Sequence, residues 1–285
     1  MPVIPASLIE PVWVEFAALI GTAERPEFDP AHPLGCHRHR VDDRVVFDCV
    51  IAALVHGSGY ERVAVPGCSD RTIRRRLADW AERGVTRDLL RTALSGYERM
   101  IGLELDDLSV DGSITKSPCG GEVSGRSPVD RGKQGTKRSV VTDGAGLPLH
   151  LVAAGANAHD SPLLEPTLAA VPDAVGPLPE GACVHLDAGY DSGKTRDLLH
   201  SLGYQYRIAT KGKPSPIQVG KRWVVERCHS WMNGYGKLRR STDKQRRIVE
   251  FYLFLAATLT VVHRLINTAR SHYRWPQRPT TRRLK

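Results

Sequence analysis

Apolar residues recur at helical spacing through the first third of the chain. Val46, Val50, Ala53 and Leu54 fall on one side of a helix starting near Asp43. A turn at Pro66-Gly67 comes next, and Ser69 is placed to cap a second helix, Ser69-Asp70-Arg71-Thr72-Ile73-Arg74-Arg75-Arg76-Leu77. Its apolar stripe is narrow, consisting of Ile73, Leu77 and Trp80. The pattern changes near residue 104. Leu108-Ser109-Val110 reads as a short strand ending in Asp111-Gly112-Ser113, and a polar, Gly-rich loop runs on to Gly135. Two β-prone segments, Ser139 to Thr142 and Leu147 to Ala153, are joined by Asp143-Gly144-Ala145-Gly146, whose glycines permit the positive φ of a hairpin turn. Next come a helix capped by Ser161 with Pro162 at its first position, a strand from Cys183 to Leu186, a helix from Gly193 to Leu202 and a strand from Tyr206 to Ala209.

This order, βββαβαβα, predicts an α/β fold with a mixed sheet, preceded by a helical unit similar to a helix-turn-helix. The predicted divisions are a helical domain over 1–100, the α/β domain over 104–268 and a basic tail over 269–285, in which Arg270, Arg274, Arg278, Arg282, Arg283 and Lys285 meet no acid.

Composition narrows the class. A chain of 285 residues with 41% hydrophobic content can bury a substantial core, and a net charge of +9 makes a polyanion the natural partner. The six cysteines form no C-x-x-C pair, which argues against a zinc knuckle or a compact disulfide framework and fits a reducing cytoplasm. Met1 to Ala6 lacks the basic start of a signal peptide, and Glu10 and Glu15 break the apolar stretch that such a peptide needs, so export is not expected. The longest apolar run, from Phe251 to Val262, is too short for a bilayer core of ~30 Å and reads as a core helix. No membrane partner is expected.

Candidate chemistry begins with two aspartates. Asp111 and Asp187 each come directly after a strand, at the carboxyl ends where open α/β sheets build their sites. If the two strands are neighbours, the carboxylates could share a divalent cation. Taken singly, each is more often a turn-forming aspartate than a ligand, and it is the pairing with fold order that reverses this. A third acid comes from the segment Lys221 to Asn233, read as an amphipathic helix with Val224, Cys228 and Trp231 on one side and Arg222, Glu226 and Asn233 on the other. On periodicity alone, Glu226 is better explained as one half of a surface ion pair with Arg222. Gly234 and Gly236 are expected to stop this helix near Tyr235.

Six blocks, in order, carry a resemblance. They are Val110-Asp111-Gly112-Ser113, the run from Ser127 to Lys137, Gly146-Leu147-Pro148-Leu149, the run from Gly155 to Ser161, Leu186-Asp187-Ala188-Gly189-Tyr190-Asp191, and Arg222-Trp223-Val224-Val225-Glu226-Arg227. Together they resemble the DDE transposases of bacterial insertion sequences, in the large group named after insertion sequence five. The resemblance implies a ribonuclease H-like fold with Asp111, Asp187 and Glu226 as the metal-binding catalytic acids and Arg222 at the arginine position of the third motif. It implies two Mg²⁺ ions, with Mn²⁺ able to substitute, serving both ends of an in-line displacement at a phosphodiester. It also implies a cytoplasmic, nucleoid-associated protein, acting as a homodimer or larger assembly on double-stranded DNA. Such a protein would bind inverted-repeat ends, nick them by hydrolysis and join the freed 3′-hydroxyl to target DNA. Related enzymes often carry a lysine seven residues after the glutamate, where this chain has Asn233.

The expected DNA contacts are Arg71, Arg74 and Arg75 on the second helix, and Lys133, Lys137 and Arg138 after the first aspartate. Around the third acid they are Arg222, Asn233, Lys237, Arg239 and Arg240. From Lys211 to Arg247 eleven lysines and arginines meet two acids, which favours a phosphate backbone there. For the arginine helix the alternative is a solvated basic face. His159 and Asp160 read as a site-adjacent polar pair or as a capping turn before Ser161, and His185 as a site neighbour or a core histidine. The alternatives for the whole protein are a nuclease of the same fold that cuts without joining, or a DNA-binding remnant without chemistry.

Overall fold

The computed structural model describes residues 4–21, 40–212 and 221–273. Cys36 and residues 274–285 of the predicted basic tail lie outside the described residues. Five helices come first: α1 (Ala6–Ile20), α2 (Asp43–His56), α3 (Tyr60–Val63), α4 (Asp70–Glu82) and α5 (Val85–Met100). The sheet comes next, with β1 (Asp107–Lys116), β2 (Gly125–Arg126), β3 (Gln134–Thr142) and β4 (Pro148–Gly155), then α6 (Ser161–Ala169), α7 (Val171–Val175), β5 (Cys183–Leu186), α8 (Gly193–Ser201) and β6 (Gln205–Ile208). The described chain closes with α9 (Trp223–Met232), α10 (Gly236–Arg239) and α11 (Arg246–His272).

β3 pairs antiparallel with both β1 and β4, while β1, β5 and β6 run parallel. The main strands therefore lie in the order β4-β3-β1-β5-β6, with the two-residue β2 added to the end of β3. This is the ribonuclease H-like mixed sheet that the element order predicts. The hairpin turn behaves as its residues require. Gly146 has φ +83, and the Asp143 carboxylate accepts from the backbone N–H groups of Ala145, Leu147 and Glu104.

β1 differs from the sequence reading. Asp111 sits inside a ten-residue strand, not after a short one, with Val140 of β3 opposite. The parallel pairing with β5 ends at Ser109, but the antiparallel ladder to β3 continues to Lys116, so the backbone polar groups beyond Asp111 remain satisfied. The short β2 inside the Gly-rich loop, together with α1 and α5, is likewise additional to the predicted elements.

Ser69 caps α4 as expected, accepting from Thr72 N, and Ile73, Leu77 and Trp80 are buried. On α1, Leu8, Val12, Phe16 and Ile20 make a stripe at four-residue spacing that buries fully. Phe16 sits at the centre of an aromatic cluster, with ring centroids 4.8 Å from Phe47 and 4.9 Å from Trp80 in an edge-on arrangement. α11 is apolar on nearly every side because it is enclosed. Its buried residues run from Ile248 to Val261, and it packs against α1, α4, α5 and β4. At 27 residues it is long and apolar enough to cross a membrane, but 72% of its apolar window is buried inside the protein.

The helices before residue 104 and the sheet share one apolar core. Their junction holds a buried polar group. Lys237 Nζ lies 2.8 Å from Asp243 Oδ2 and also over the rings of Tyr60 and Tyr252, and Tyr60 donates to Asp243 Oδ1 at 2.8 Å. Beside it the backbones of α2 and α10 meet at Gly57 and Gly236. A Cβ on Gly236 would lie 2.4 Å from Gly57 N, so this approach requires a residue without a side chain. Removing one member of the ion pair strands the other in the interior. Asp243→Ala is therefore expected to cost about 3–5 kcal/mol in urea denaturation, and Lys237→Met in the same chain to recover part of that loss. A single variant as stable as the parent would mean that the pair contributes nothing.

Candidate active site

Asp111 and Asp187 are brought together by strand register. Asp107 pairs with Cys183 and Ser109 with His185, so continuing the parallel register by two residues sets Asp111 level with Asp187. Asp187 is the first residue past β5, and its Oδ1 accepts from Gly189 N at 2.8 Å, which caps a short 3-10 turn. A Cβ on Gly189 would lie 3.0 Å from that oxygen, so glycine keeps the approach open.

α9 packs across β1 and β3 and supplies Glu226 from its exposed side, while Val224, Val225, Cys228, His229 and Met232 face inward. It ends at Met232, with Asn233 as its C-cap. A fourth acid, Asp160, was only half-legible in the sequence. It precedes α6 but makes no side-chain cap, and its Oδ1 instead lies 2.9 Å from Lys137 Nζ. Gly112 makes the space, because a Cβ there would be 2.3 Å from Asp160 Oδ1. This favours the site-adjacent reading of Asp160 over the capping turn. His159 is exposed.

These acids act on one another. Burial pushes the Asp111 carboxyl up to about 7, and the charges of Glu226, Asp187 and Asp160 push the same way, against a Gly112 backbone N–H that favours the ionised form. The hydroxyl of Tyr190 is buried without a hydrogen-bond partner and is raised by burial and then by Asp160, Asp111 and Asp187. Several carboxylates grouped around the half-buried Asp111, beside an orphaned hydroxyl, offer the all-oxygen donor set that suits a hard divalent cation such as Mg²⁺. Asp111, Asp187 and Glu226 are residues that could hold one.

A second group, Asp107, Cys183 and His185, has ligand atoms within 4.8 Å of one another. Here the negative charge is already answered, since Lys221 Nζ lies 2.8 Å and His185 Nε2 2.7 Å from the Asp107 carboxylate. His185 is thus a buried partner of Asp107.

The expected DNA contacts divide into two sets. Arg71, Arg74, Arg75, Lys133, Arg239 and Arg240 are exposed, and Arg222 is half-buried. Lys137, Arg138 and Lys237 correct the sequence reading, because all three are interior. Lys137 is held by Asp160 and Lys237 by Asp243, so neither is a surface cation. Arg138 is 1% exposed, and burial lowers its guanidinium to about 10. Its N–H groups go to His229 Nδ1 at 3.3 Å, to Leu238 O at 3.4 Å and to Asn233 Oδ1 at 2.7 Å. Asn233, also expected to face DNA, is exposed, and its Oδ1 accepts from this buried arginine.

The sign of the Asp111 shift gives a stability prediction. A carboxyl raised on folding adds stability that is full below its unfolded value and is lost as pH rises through about 7. Asp111→Asn abolishes that loss. With chelator present, its stability relative to the parent is expected to improve by a few kcal/mol between about pH 5 and about pH 8 in urea melts. A difference independent of pH would show that Asp111 ionises freely.

Residues 104–217 match the family model described as the transposase DDE domain. A Burkholderia cepacia protein named as a transposase for insertion sequence element IS402 is 36% identical over 141 residues, covering 48% of this chain and 67% of that protein. Among solved structures, the catalytic domain of Mos1 mariner transposase aligns at 12% identity over 65% of this chain and 91% of its own, with a TM-score of 0.32. The Mos1 mariner paired-end complex with Mn aligns at 12% identity over 96% and 89%, with a TM-score of 0.33. At those scores the fold rests on the strand order and register described above. Family model and curated relative agree with the six sequence blocks, and the chain belongs to the DDE-type transposases of bacterial insertion sequences.

Proposed function

We propose that this transposase binds the ends of its insertion sequence as double-stranded DNA, cuts them at a phosphodiester and joins the freed 3′-hydroxyl to target DNA. The observation that carries this reading is the grouping of Asp187, Glu226 and Asp160 around the half-buried carboxyl of Asp111, with Asp187 set level with it by the β1–β5 register. Asp111, Asp187 and Glu226 hold the divalent cation. When bound, Mg²⁺ supplies Lewis acidity at the phosphoryl oxygens and lowers the pKa of attacking water.

The protein's own part is set by where the side chains stand. Asp111 is fixed by the β1–β3 ladder, Asp187 by its cap on Gly189, and Glu226 projects from the exposed face of a helix anchored on the same two strands. The reacting phosphate is thereby met by groups from three separate elements. In the first step water oxygen attacks phosphorus and the bond to the 3′ oxygen breaks, leaving a 3′-hydroxyl and a 5′-phosphate. In the second, that 3′ oxygen attacks a target phosphorus and displaces the target's own 3′ oxygen. Neither step needs a covalent bond to the protein. The exposure of Lys133, Arg239 and Arg240 supports a role for them at the DNA backbone. Arg71, Arg74 and Arg75 line the outer face of α4, whose other face is locked into the core by Ile73, Leu77 and Trp80, as a recognition helix requires.

Asp111→Asn, Asp187→Asn and Glu226→Gln are each expected to abolish Mg²⁺-dependent cleavage of an end-bearing duplex and to leave its binding in a gel-shift assay nearly unchanged. Full cleavage by any one of them removes that residue from the site. A tagged target distinguishes transfer from cutting alone, because a nuclease would yield nicked ends without joined product.

Removing Arg71, Arg74 and Arg75 together is expected to weaken binding to the element ends more than to unrelated DNA. A footprint identical to the parent's would make α4 purely structural.

A further inference from the structure

His229 lies one helical turn after Glu226 on α9 and is buried where Glu226 is exposed. Its Nδ1 lies 3.3 Å from Arg138 Nε. An arginine nitrogen can only donate, so Nδ1 accepts and the ring proton sits on Nε2. That Nε2 is buried, has no hydrogen-bond partner, and lies 3.9 Å from Asp111 Oδ2. Arg138 is itself fixed by Leu238 O and Asn233 Oδ1. It also reaches the backbone oxygen of His229, at 3.4 Å. One buried guanidinium thus sets both the tautomer and the ring plane of a histidine whose unsatisfied N–H faces the central carboxylate.

We propose that His229 is a positioning residue for Asp111, a buried N–H donor held in its tautomer by Arg138 and Asn233 that steadies the carboxylate on its protein side. The proposal rests on the reading of Asp111, Asp187 and Glu226 as cation ligands and adds the group that orients one of them. Asp111 is surrounded by like charge, with Glu226, Asp187 and Asp160 all acting on it. A donor behind it turns the carboxylate toward the position where a cation relieves that repulsion. Groups that orient a metal ligand in this way typically change metal affinity by about 10–100-fold when removed. The same geometry gives Asn233 a role suited to its chemistry, because an amide oxygen can hold a guanidinium and a lysine at that position could not.

The test is Mn²⁺ titration of the full chain without DNA, followed by loss of the free-ion EPR signal, with near-UV circular dichroism reporting the fold. His229→Phe keeps the ring volume and loses the donor, whereas His229→Gln keeps a donor at similar reach and packs less well. A purely structural histidine predicts that Phe is the better replacement. The proposal expects the reverse, with His229→Phe weakening Mn²⁺ binding by roughly tenfold or more and His229→Gln restoring most of it. His229→Phe binding like the parent, or His229→Gln binding as weakly as His229→Phe, overturns it. If His229→Phe does not fold, Asn233→Ala serves instead, since it frees Arg138 from the surface side. It should weaken Mn²⁺ binding in the same direction, and parental affinity overturns the proposal. Asp111→Asn separates this failure from that of the underlying site. If it binds Mn²⁺ as the parent does, the three-acid reading falls, whereas if it loses binding while His229→Phe keeps it, only the role of His229 falls.

Discussion

Much around the acid cluster answers one electrostatic difficulty, a half-buried carboxyl crowded by other carboxylates. Such a group is unstable as an anion unless a cation or directed N–H groups compensate it. The chain meets the difficulty with rigid elements. β1 carries Asp111 through an unbroken ladder, β5 stops in register beside it, and α9 is clamped onto β1 and β3 by five inward-facing residues. Where a conventional side chain would obstruct the cluster there is glycine, at Gly112 under Asp160 and at Gly189 beside Asp187. Where an interior cation is needed to hold neighbouring acids, Lys137 pairs with Asp160 and Lys237 with Asp243.

Much of this was legible in the sequence, and the parts that were not share a cause. Periodicity and turn chemistry located β5, β4, α8 and the second half of β3 closely, because those signals are local: β-prone runs and the turn of Asp143 with Gly146. Strand position also offered Asp111 and Asp187 as candidates, whereas Glu226 came from the resemblance. Local signals could not show that β1 runs on past Asp111, since what sustains it there is a partner strand more than twenty residues away. Nor could they show which basic residues face solvent. Lys137, Arg138 and Lys237 look like surface cations by type, and their burial is decided by acceptors distant in sequence: Asp160, Asn233 with Leu238, and the ring faces of Tyr60 and Tyr252. The charge surplus between Lys211 and Arg247 therefore overstates the cationic surface available to DNA. For the same reason the sequence leaves Asp160 between a site-adjacent residue and a capping turn, because its approach to β1 depends on the missing side chain of Gly112.

The helical half of the molecule is joined to the sheet more tightly than a sequence boundary near residue 104 implies. α11 lies against α1, α4, α5 and β4, so the last described helix closes the core of the first ones. Phe251 on α11 reaches the Phe16 ring on α1, at 6.5 Å between centroids. Segments distant in sequence are in this way part of one packing unit.

The contact between Gly57 and Gly236 sets a limit on motion. Two backbones that touch without side chains between them have no soft layer to compress or slide through, so α2 and α10 move together. α10 begins four residues after α9 ends, and α3 and α4 come after α2 with only short turns between. The outer face of α4 and the exposed face of α9 are consequently held at a fixed separation, like two marks on one ruler. A duplex that meets both must bring a particular phosphate to the acids by its own length and twist, with little help from hinge movement in the protein.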